Sequence, residues 1–204
     1  MEHGWVRDIT ARHFGYSAVN LENGSKHMTV YRSTSLDPVS IVTGSRRYSF
    51  NNDGQMNLVM ECRARSGRHD FVTGARIGGP NVFVDGVAEL AHNDIGPHQR
   101  WASGVLYDRI VTDGQLNVQN RLHRGSGHGW SGINHVVWNS KAATAVVQSP
   151  QVSGTNYMIG FQGEKATGFS PESPDGIWEG HNRPGLTPAS LYRAQLQARG
   201  GSLP

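Results

Sequence analysis

A four-residue phrase recurs along the chain as IVTG at Ile41–Gly44, FVTG at Phe71–Gly74, WASG at Trp101–Gly104 and GWSG at Gly129–Gly132. The final glycines lie 30, 30 and 28 residues apart, and each of them follows a Thr or a Ser. Self-similarity at such a period is typical of stacked repeat folds, in which every repeat packs on its neighbours. The spacing therefore predicts a solenoid whose rungs contain about 30 residues each.

Short apolar runs lie between these phrases and have the composition of β-strands. Three of them begin with asparagine, at Asn57–Glu61, Asn81–Asp85 and Asn134–Trp138, and Met28–Val30 and Val105–Asp108 resemble the same strand without it. The runs are rich in β-branched and aromatic residues and are bounded by turn residues, and no amphipathic helix separates them. We therefore predict an all-β, parallel β-helix of about six rungs, with the asparagines stacked in a ladder along its axis.

The two ends of the chain differ from the repeat. We assign residues 1–165 to the rungs and 166–204 to a C-terminal wrap and helix, all within one domain. Thr187 and Pro188 suit the start of a helix over 189–197, and Gly200 suits its end, so we expect this helix to dock against the side or the end of the stack. The segment Trp5–Ile9 is already strand-like without a polar lead-in. This start predicts either a fragment of a longer protein or an end covered by a partner or another subunit.

Composition limits the class of protein and of partner. The 204 residues include 26 glycines and only 17% charged residues, which argues against helical bundles. Sixteen arginines, three lysines and ten histidines give a cationic chain, and arginine recognises carboxylates, sulfates and phosphates bidentately. An acidic polymer is one reading of this bias, and a solvated arginine-rich face is the other. Cys62, the single cysteine, excludes an internal disulfide and reads as a small buried hydrophobe. The chain has no apolar stretch long enough for a membrane span and no signal peptide at its start.

The pattern of strands and punctuation resembles the right-handed parallel β-helix proteins of the pectate-lyase-like superfamily. The segments His98–Asp108 and Gly127–Gly132 are similar to uncharacterised members of that group that are labelled as pectate lyases, and the resemblance covers about Trp5 to Gly200. It implies a carbohydrate-active protein outside the cytoplasm, secreted or periplasmic. The superfamily includes polysaccharide lyases, polygalacturonase-type hydrolases, uronate epimerases and phage tailspikes. Its better-known lyases carry an acidic calcium cluster and a catalytic Arg or Lys. No cofactor follows from the residues themselves, and the resemblance admits Ca²⁺.

Counting back from the recurring glycines places polar residues in two columns. Arg68 and His98 lie six residues before their glycines, and Asp70, Arg100 and His128 lie four residues before theirs. If the rungs are in register, the columns are neighbours on one face, because residues two apart on a strand share a face. His69 would then point the other way. Further candidates for substrate binding around this patch are His69, His92, Asp94, Arg124 and Trp130.

Such a cluster fits β-elimination on an acidic, uronate-containing polysaccharide. His98 or His128 would act as base or acid, Arg100 or Arg68 would hold the uronate carboxylate, and Asp70 would orient a histidine. The structural alternative is a ladder of hydrogen bonds and ion pairs that keeps a polar face in register.

Other functions remain open at this stage. A non-catalytic glycan-binding or adhesin-like module would use the same face without turnover. A glycoside hydrolase would need two carboxyl groups from Asp70, Glu89, Asp94 and Asp108. A metal site from His92, Asp94 and His98 is geometrically conceivable, but it has no strong spacing signature and no metal site is assigned.

Two aromatic and basic features are interpreted structurally. The stretch Arg121–Trp130 resembles a basic, aromatic nucleic-acid patch, but its glycines are better explained as turns of a rung, so no nucleic-acid partner is expected. Trp101 and Trp130 hold almost the same repeat position, which indicates stacked core aromatics more than sugar platforms.

Overall fold

The computed structural model describes residues 1–152 and 154–203, and over these residues the chain forms short strands and two short helices. In chain order the strands are β1 (Trp5–Arg7), β2 (Thr10–Arg12), β3 (Val19–Leu21), β4 (Thr29–Tyr31), β5 (Thr34–Leu36), β6 (Tyr48–Asn52), β7 (Leu58–Met60), β8 (Arg63–Arg65), β9 (His69–Thr73), β10 (Asn81–Val84), β11 (Val87–Glu89), β12 (Gly96–Pro97), β13 (Ala102–Ser103), β14 (Val105–Asp108), β15 (Val111–Thr112), β16 (Gln115–Val118), β17 (Gly132–Ile133), β18 (Val136–Trp138), β19 (Lys141–Val147), β20 (Tyr157–Ile159), β21 (Gln162–Lys165) and β22 (Ile177–Glu179). The helices are α1 (Arg124–Gly127) and α2 (Leu191–Ala198).

The strands stack into parallel sheets. The largest sheet has eight strands in the order β1-β4-β7-β10-β14-β18-β20-β22, and a second runs β16-β19-β15-β11-β8-β5-β2, with β21 also paired to β19. A third sheet has the order β12-β9-β6-β3, and β13 pairs with β17. All of these strand pairings are parallel. The prediction of an all-β protein with a short C-terminal helix is confirmed, and the stacked parallel sheets are consistent with a parallel β-helix. Neither described helix is long and apolar enough to cross a membrane.

The rungs are more numerous and shorter than the glycine spacing predicted. We define a rung as the chain between successive strands of the eight-stranded sheet. The strand partners are 24, 29, 24, 24, 30, 21 and 20 residues apart, which gives seven steps instead of six. The phrases at Trp101–Gly104 and Gly129–Gly132 do reach adjacent strands, but Ala102 lies beside Gly132, two positions out of the predicted register. The stack also continues beyond the expected boundary at residue 165, since Ile177–Glu179 still pairs with β20.

Aromatic side chains from successive rungs stack inside the fold. Phe50 and Phe71 are buried with ring centroids 5.6 Å apart, and Phe83 and Tyr107 are buried with centroids 5.3 Å apart. Cys62 is also fully buried, and burial raises the pKa of its thiol to about 12. The reading of Cys62 as a small core residue is therefore confirmed.

An asparagine ladder runs along one edge of the eight-stranded sheet. The Oδ1 atom of Asn81 accepts a hydrogen bond of 3.0 Å from the backbone N–H of Asn57, in the neighbouring rung. Further along, the Oδ1 atom of Asn156 accepts a hydrogen bond of 2.9 Å from the backbone N–H of His135. These side chains are buried and satisfy backbone groups at the starts of strands, where a missing partner would be costly.

One position of the predicted ladder is wrong. Asn134 lies one residue before the ladder, because Val136 and not His135 pairs with Leu106 of the preceding rung. His135 takes the place instead, and its Nδ1 accepts a hydrogen bond of 3.0 Å from the backbone N–H of Val105. A neutral imidazole supplies the same acceptor that asparagine supplies elsewhere in the ladder.

The C-terminal helix α2 begins later than the sequence predicted. Its N-cap is Ser190, whose side chain accepts a hydrogen bond from the backbone N–H of Arg193, and Thr187 does not cap it. The helix is anchored on the side of the stack by Asp108, whose Oδ2 accepts 2.7 Å hydrogen bonds from Ser190 Oγ and from the backbone N–H of Tyr192. The expectation that α2 docks against the side of the stack is therefore confirmed.

Candidate functional site

An open groove with a cavity volume of about 470 Å³ lies beside the third sheet, next to the turn formed by α1. Most of its polar side chains are basic or aromatic. The groove is lined by the side chains of Tyr48, Arg68, Asp94, His98, Arg121, Arg124, His128 and Phe169, among other residues.

The sheet register brings the histidines together. Tyr48 pairs with His69 across β6 and β9, and Pro97 pairs with Thr73, so His98 follows directly after β12 on the next layer. The ring centroids of His69 and His98 lie 4.4 Å apart. His128 comes after the α1 turn, with its Nε2 3.2 Å from Nε2 of His98. Three histidine rings therefore form one continuous column at the groove.

This column does not follow the predicted register. Pro97 pairs with Thr73, so His98 lies level with Gly74, and the proposed column of Arg68 with His98 is wrong in detail. The 24-residue step, shorter than the expected 30, is the reason. His69 also lies on the histidine side, in contact with His98, where it was expected to point away. Arg68 nevertheless reaches the same groove as His98 and His128.

Burial keeps the histidines neutral. His69 is 1% exposed, and burial lowers its pKa to about 4. Burial, together with the positive charges of neighbouring His69 and Arg121, lowers the pKa of His98 to about 2. Burial also lowers the pKa of His128, assisted by Arg121 and Arg100. Neutral imidazoles can accept protons or bind metal ions, which imidazolium ions cannot do.

Arginines supply the charge of the groove. Arg121 is 5% exposed and donates from Nη2 to the carboxylate of Asp94 and, at 3.1 Å, to Oδ1 of Asn117. Burial alone would raise the pKa of Asp94, but the electrostatic attraction of His69 and Arg121 outweighs it and lowers that pKa. Asp94 is therefore an ionised carboxylate, and Arg121 is its counter-ion.

The other two arginines remain available to a ligand. The guanidinium carbon of Arg124 lies 3.7 Å from the ring centroid of Phe169, a cation–π contact that holds the charge at the groove wall. Nη1 of Arg68 is buried without a hydrogen-bond partner among the described residues. An unpaired, buried guanidinium N–H is costly unless a ligand acceptor reaches it.

Several predicted site residues lie outside the groove. Asp70 is buried, and its Oδ1 accepts a 2.6 Å hydrogen bond from Ser49 Oγ, so it orients no histidine; burial raises its pKa to about 7. His92 is exposed on the loop before β12 and is not among the residues that line the groove. Trp101 is 43% exposed and Trp130 is half-buried, so the prediction that they stack in the core is wrong.

Arg100 has a supporting position. Its Nε donates to the backbone carbonyl of Gly127 at 3.2 Å, and its Nη2 donates to Oγ of Ser126 at 2.8 Å. These bonds hold the α1 turn, which carries Arg124 and leads into His128. Positive φ angles at Gly125, Gly127 and Gly129 confirm that the glycines of Arg121–Trp130 form turns.

Three groove residues were not predicted as site residues. Arg121 was considered only as part of a basic stretch, although its position two residues after the ladder of β16 was visible as an arginine close to an apolar run. Tyr48 enters through the 21-residue step that pairs it with His69. Phe169 comes from the segment after β21, and no local signal in the sequence pointed to it.

One group of residues has donors suited to a metal ion. His69, Asp94 and His98 each offer a ligand atom, and these atoms lie within 4.8 Å of one another. The trio considered from the sequence contained His92 in place of His69. The structure exchanges the two, because β9 carries His69 into contact with His98 while His92 stays exposed.

A second, larger groove has a different character. Its volume is about 840 Å³, and its charged lining residues, Arg65, Glu89, Asp113 and Lys141, are of mixed sign. Asp113 is occupied by hydrogen bonds from the backbone N–H groups of Leu90 and Ala91. We therefore place the candidate site in the histidine- and arginine-lined groove.

Comparison with known proteins gave no relative. The chain matched no protein-family model, no curated protein and no solved structure.

Proposed function

We propose that the protein is a right-handed parallel β-helix of the pectate-lyase-like superfamily that cleaves an acidic, uronate-containing polysaccharide by β-elimination. The observation that carries this proposal is the cluster of three arginines around neutral histidines in one open groove. Because such polymers lie outside the cytoplasm, the proposal includes secretion or a periplasmic location.

The groove residues match the charges of the reaction. A base removes the proton on C5, the electron pair forms the C4–C5 double bond, and the C4–O bond breaks as the leaving oxygen receives a proton. We assign the base to His128, which is more exposed than His98 and neutral. Arg68 and Arg124 hold the uronate carboxylate and stabilise the negative charge that develops beside it.

Tyr48 is the proton donor of this proposal. Its phenol lines the groove, and burial raises its pKa, so it stays protonated at neutral pH. A protonated phenol can donate to the leaving glycosidic oxygen. Arg100, for which we expected direct contact with the carboxylate, acts here by holding the α1 turn.

The same groove argues against a glycoside hydrolase. Hydrolysis normally needs two carboxyl groups flanking the bond. Among the described residues, Asp94 is the one carboxylate that lines the groove, and it is ionised and paired with Arg121. Asp108 caps α2 and Asp70 is bonded to Ser49, so neither can serve as its partner.

Calcium, which the resemblance admitted, does not fit these residues. Ca²⁺ takes six to eight oxygen ligands at about 2.3–2.6 Å. The groove offers the single carboxylate of Asp94 together with imidazole nitrogens, which suit other ions. No step of the proposed reaction passes through calcium.

The test is a screen of uronate polysaccharides for products that absorb in the near ultraviolet, as the unsaturated sugars of β-elimination do. His128→Ala and Arg68→Ala should each lower kcat about 100-fold or more, because they remove the base and a carboxylate clamp. His123→Ala and Arg63→Ala are matched controls at exposed positions outside the groove and should retain the wild-type rate.

Three outcomes would contradict the proposal. New reducing ends without unsaturated products would indicate a hydrolase. Binding of a polymer without any product would indicate the non-catalytic glycan-binding module. Wild-type rates in His128→Ala would remove the assignment of the base.

A further inference from the structure

We propose that His69, Asp94 and His98 form a binding site for a divalent first-row transition-metal ion of the Zn²⁺ type. The three residues come from two neighbouring layers of the third sheet and each offers a ligand atom, all within 4.8 Å of one another. The existence of this site does not depend on the proposed lyase activity.

The histidine nitrogens are arranged as metal ligands are. Nδ1 of His69 lies 2.7 Å from the backbone carbonyl oxygen of Asp94 and must carry the proton of that hydrogen bond. Nε2 of His69 therefore holds a lone pair, and it is buried with no hydrogen-bond partner among the described residues. A histidine that donates one ring N–H to a backbone carbonyl while its other nitrogen faces the ion is the usual orientation of a metal ligand.

His98 adds a second unpaired nitrogen. Its ring lies against that of His69, and its Nδ1 is likewise buried without a partner in the described chain. Both histidines are held neutral by burial, which is the protonation state that metal binding requires. Two buried acceptors left unpaired side by side are costly, and a shared cation would satisfy both.

Asp94 completes the set with an oxygen ligand. Arg121 occupies its Oδ2, but a carboxylate has about four lone-pair sites, so it retains capacity for an ion. The positive charge of Arg121 repels a cation, so we expect weaker binding than at a closed structural zinc site. With metal–ligand bonds of about 2.1 Å, two ligands on one ion are at most about 4.2 Å apart, so the widest pair has to close by roughly 0.6 Å.

The donor set selects the class of ion. Two imidazoles and one carboxylate suit Zn²⁺, Co²⁺, Ni²⁺ or Cu²⁺, whereas Ca²⁺ and Mg²⁺ require mainly oxygen ligands. Three protein ligands leave at least one coordination position open. Since Asp94 and His98 line the groove, that position faces the ligand space. An ion there would bind an anionic group of a substrate, a role that rests on the proposed function.

The experiment measures metal binding without a substrate. The full chain is treated with a chelator, dialysed, and titrated with Zn²⁺ in a calorimeter and with Co²⁺ by visible absorption. We expect one equivalent of tight binding, a cobalt spectrum of a low-coordinate site with nitrogen ligands, and a raised Tm in the presence of Zn²⁺. His98→Ala should weaken this binding at least about 10-fold. His69→Gln is the second variant, and circular dichroism checks that both are folded.

The chain offers two matched controls. His92→Ala removes the exposed histidine of the neighbouring loop, and binding should stay as in the wild type. His27→Ala disrupts a surface pair, since the rings of His3 and His27 lie 4.6 Å apart and could hold an ion adventitiously. If wild-type protein binds no equivalent of Zn²⁺ or Co²⁺, or if folded His98→Ala binds as the wild type does, the inference is wrong.

The result is separable from that of the lyase screen. Polymer cleavage by a protein that binds no metal would overturn the metal site and leave the proposed function intact. One equivalent of bound Zn²⁺ in a protein that cleaves no uronate polymer would support the site and contradict the lyase.

Discussion

Replacing His135 with asparagine should make the protein less sensitive to acid. His135 is fully buried in the ladder position, and burial lowers the pKa of its imidazole to about 3. In the unfolded chain that pKa is about 6.5. As the pH falls below about 6.5, the unfolded state gains a proton that the folded state does not bind, so stability is lost until the folded pKa is reached.

The size of this loss follows from the two pKa values. Between about pH 8 and pH 5 the unfolded imidazole passes about 1.5 pH units below its pKa, which corresponds to about 2 kcal/mol of unfolding free energy. His135→Asn should remove this share, because an asparagine oxygen can accept the same hydrogen bond from the backbone N–H of Val105. His69 and His98 are also held neutral by burial, so the variant should retain part of the acid-dependent loss.

The assay is urea unfolding followed by tryptophan fluorescence at several pH values between about 8 and 5. His123→Asn makes the same chemical change at an exposed position, where the ring is hydrated before and after unfolding, and it should lose as much stability as the wild type. If His135→Asn loses the same free energy as the wild type over this range, then the buried histidine is not the source and the reasoning is wrong.

Two further predictions concern the fold. Asn81→Ala should lower stability by about 2–4 kcal/mol, because it leaves the backbone N–H of Asn57 and the carbonyl of Gly54 without their side-chain partner, whereas exposed Asn23→Ala should change it little; equal midpoints in urea would contradict this. Cys62 should resist alkylation by iodoacetamide in the native state and react fully in denaturant, since burial raises its thiol pKa to about 12; rapid labelling of folded protein would contradict its placement in the core.

The stacked parallel strands were predictable because each strand is marked locally. Short apolar runs such as Asn81–Asp85 are bounded by turn residues, and their repetition indicates parallel stacking without long-range information. The number of residues in a rung was not predictable in this way. The step from Leu106 to Val136 spans 30 residues because it includes the α1 turn, whereas the step from Tyr157 to Ile177 spans 20. The recurring glycines mark turns, and turns do not recur at equal positions in rungs of unequal length.

The candidate site depends on these unequal steps. A constant period placed Arg68 beside His98, whereas the 24-residue step places His98 beyond the end of β9 and next to His69. His98, His128 and Arg68 still reach one groove, because one layer of the stack is only about 4.8 Å thick and an error of a few residues leaves long side chains within reach. Asp70 was lost for the opposite reason. On a strand a shift of one position turns a side chain to the other face, and Asp70 is bonded there to Ser49.

The charge of the groove connects the two proposals. Arg68, Arg121 and Arg124 against the single carboxylate of Asp94 leave a surplus of two positive charges while the histidines are neutral. A neutral sugar would leave that surplus uncompensated and Nη1 of Arg68 unpaired, whereas an acidic polymer would satisfy both. A divalent ion at His69, Asp94 and His98 would double the surplus. Since binding free energies are coupled reciprocally, the acidic polymer would then strengthen ion binding by the same factor as the ion strengthens polymer binding. The repulsion from Arg121 that weakens the ion in the empty groove is thus offset when a polyanion enters it.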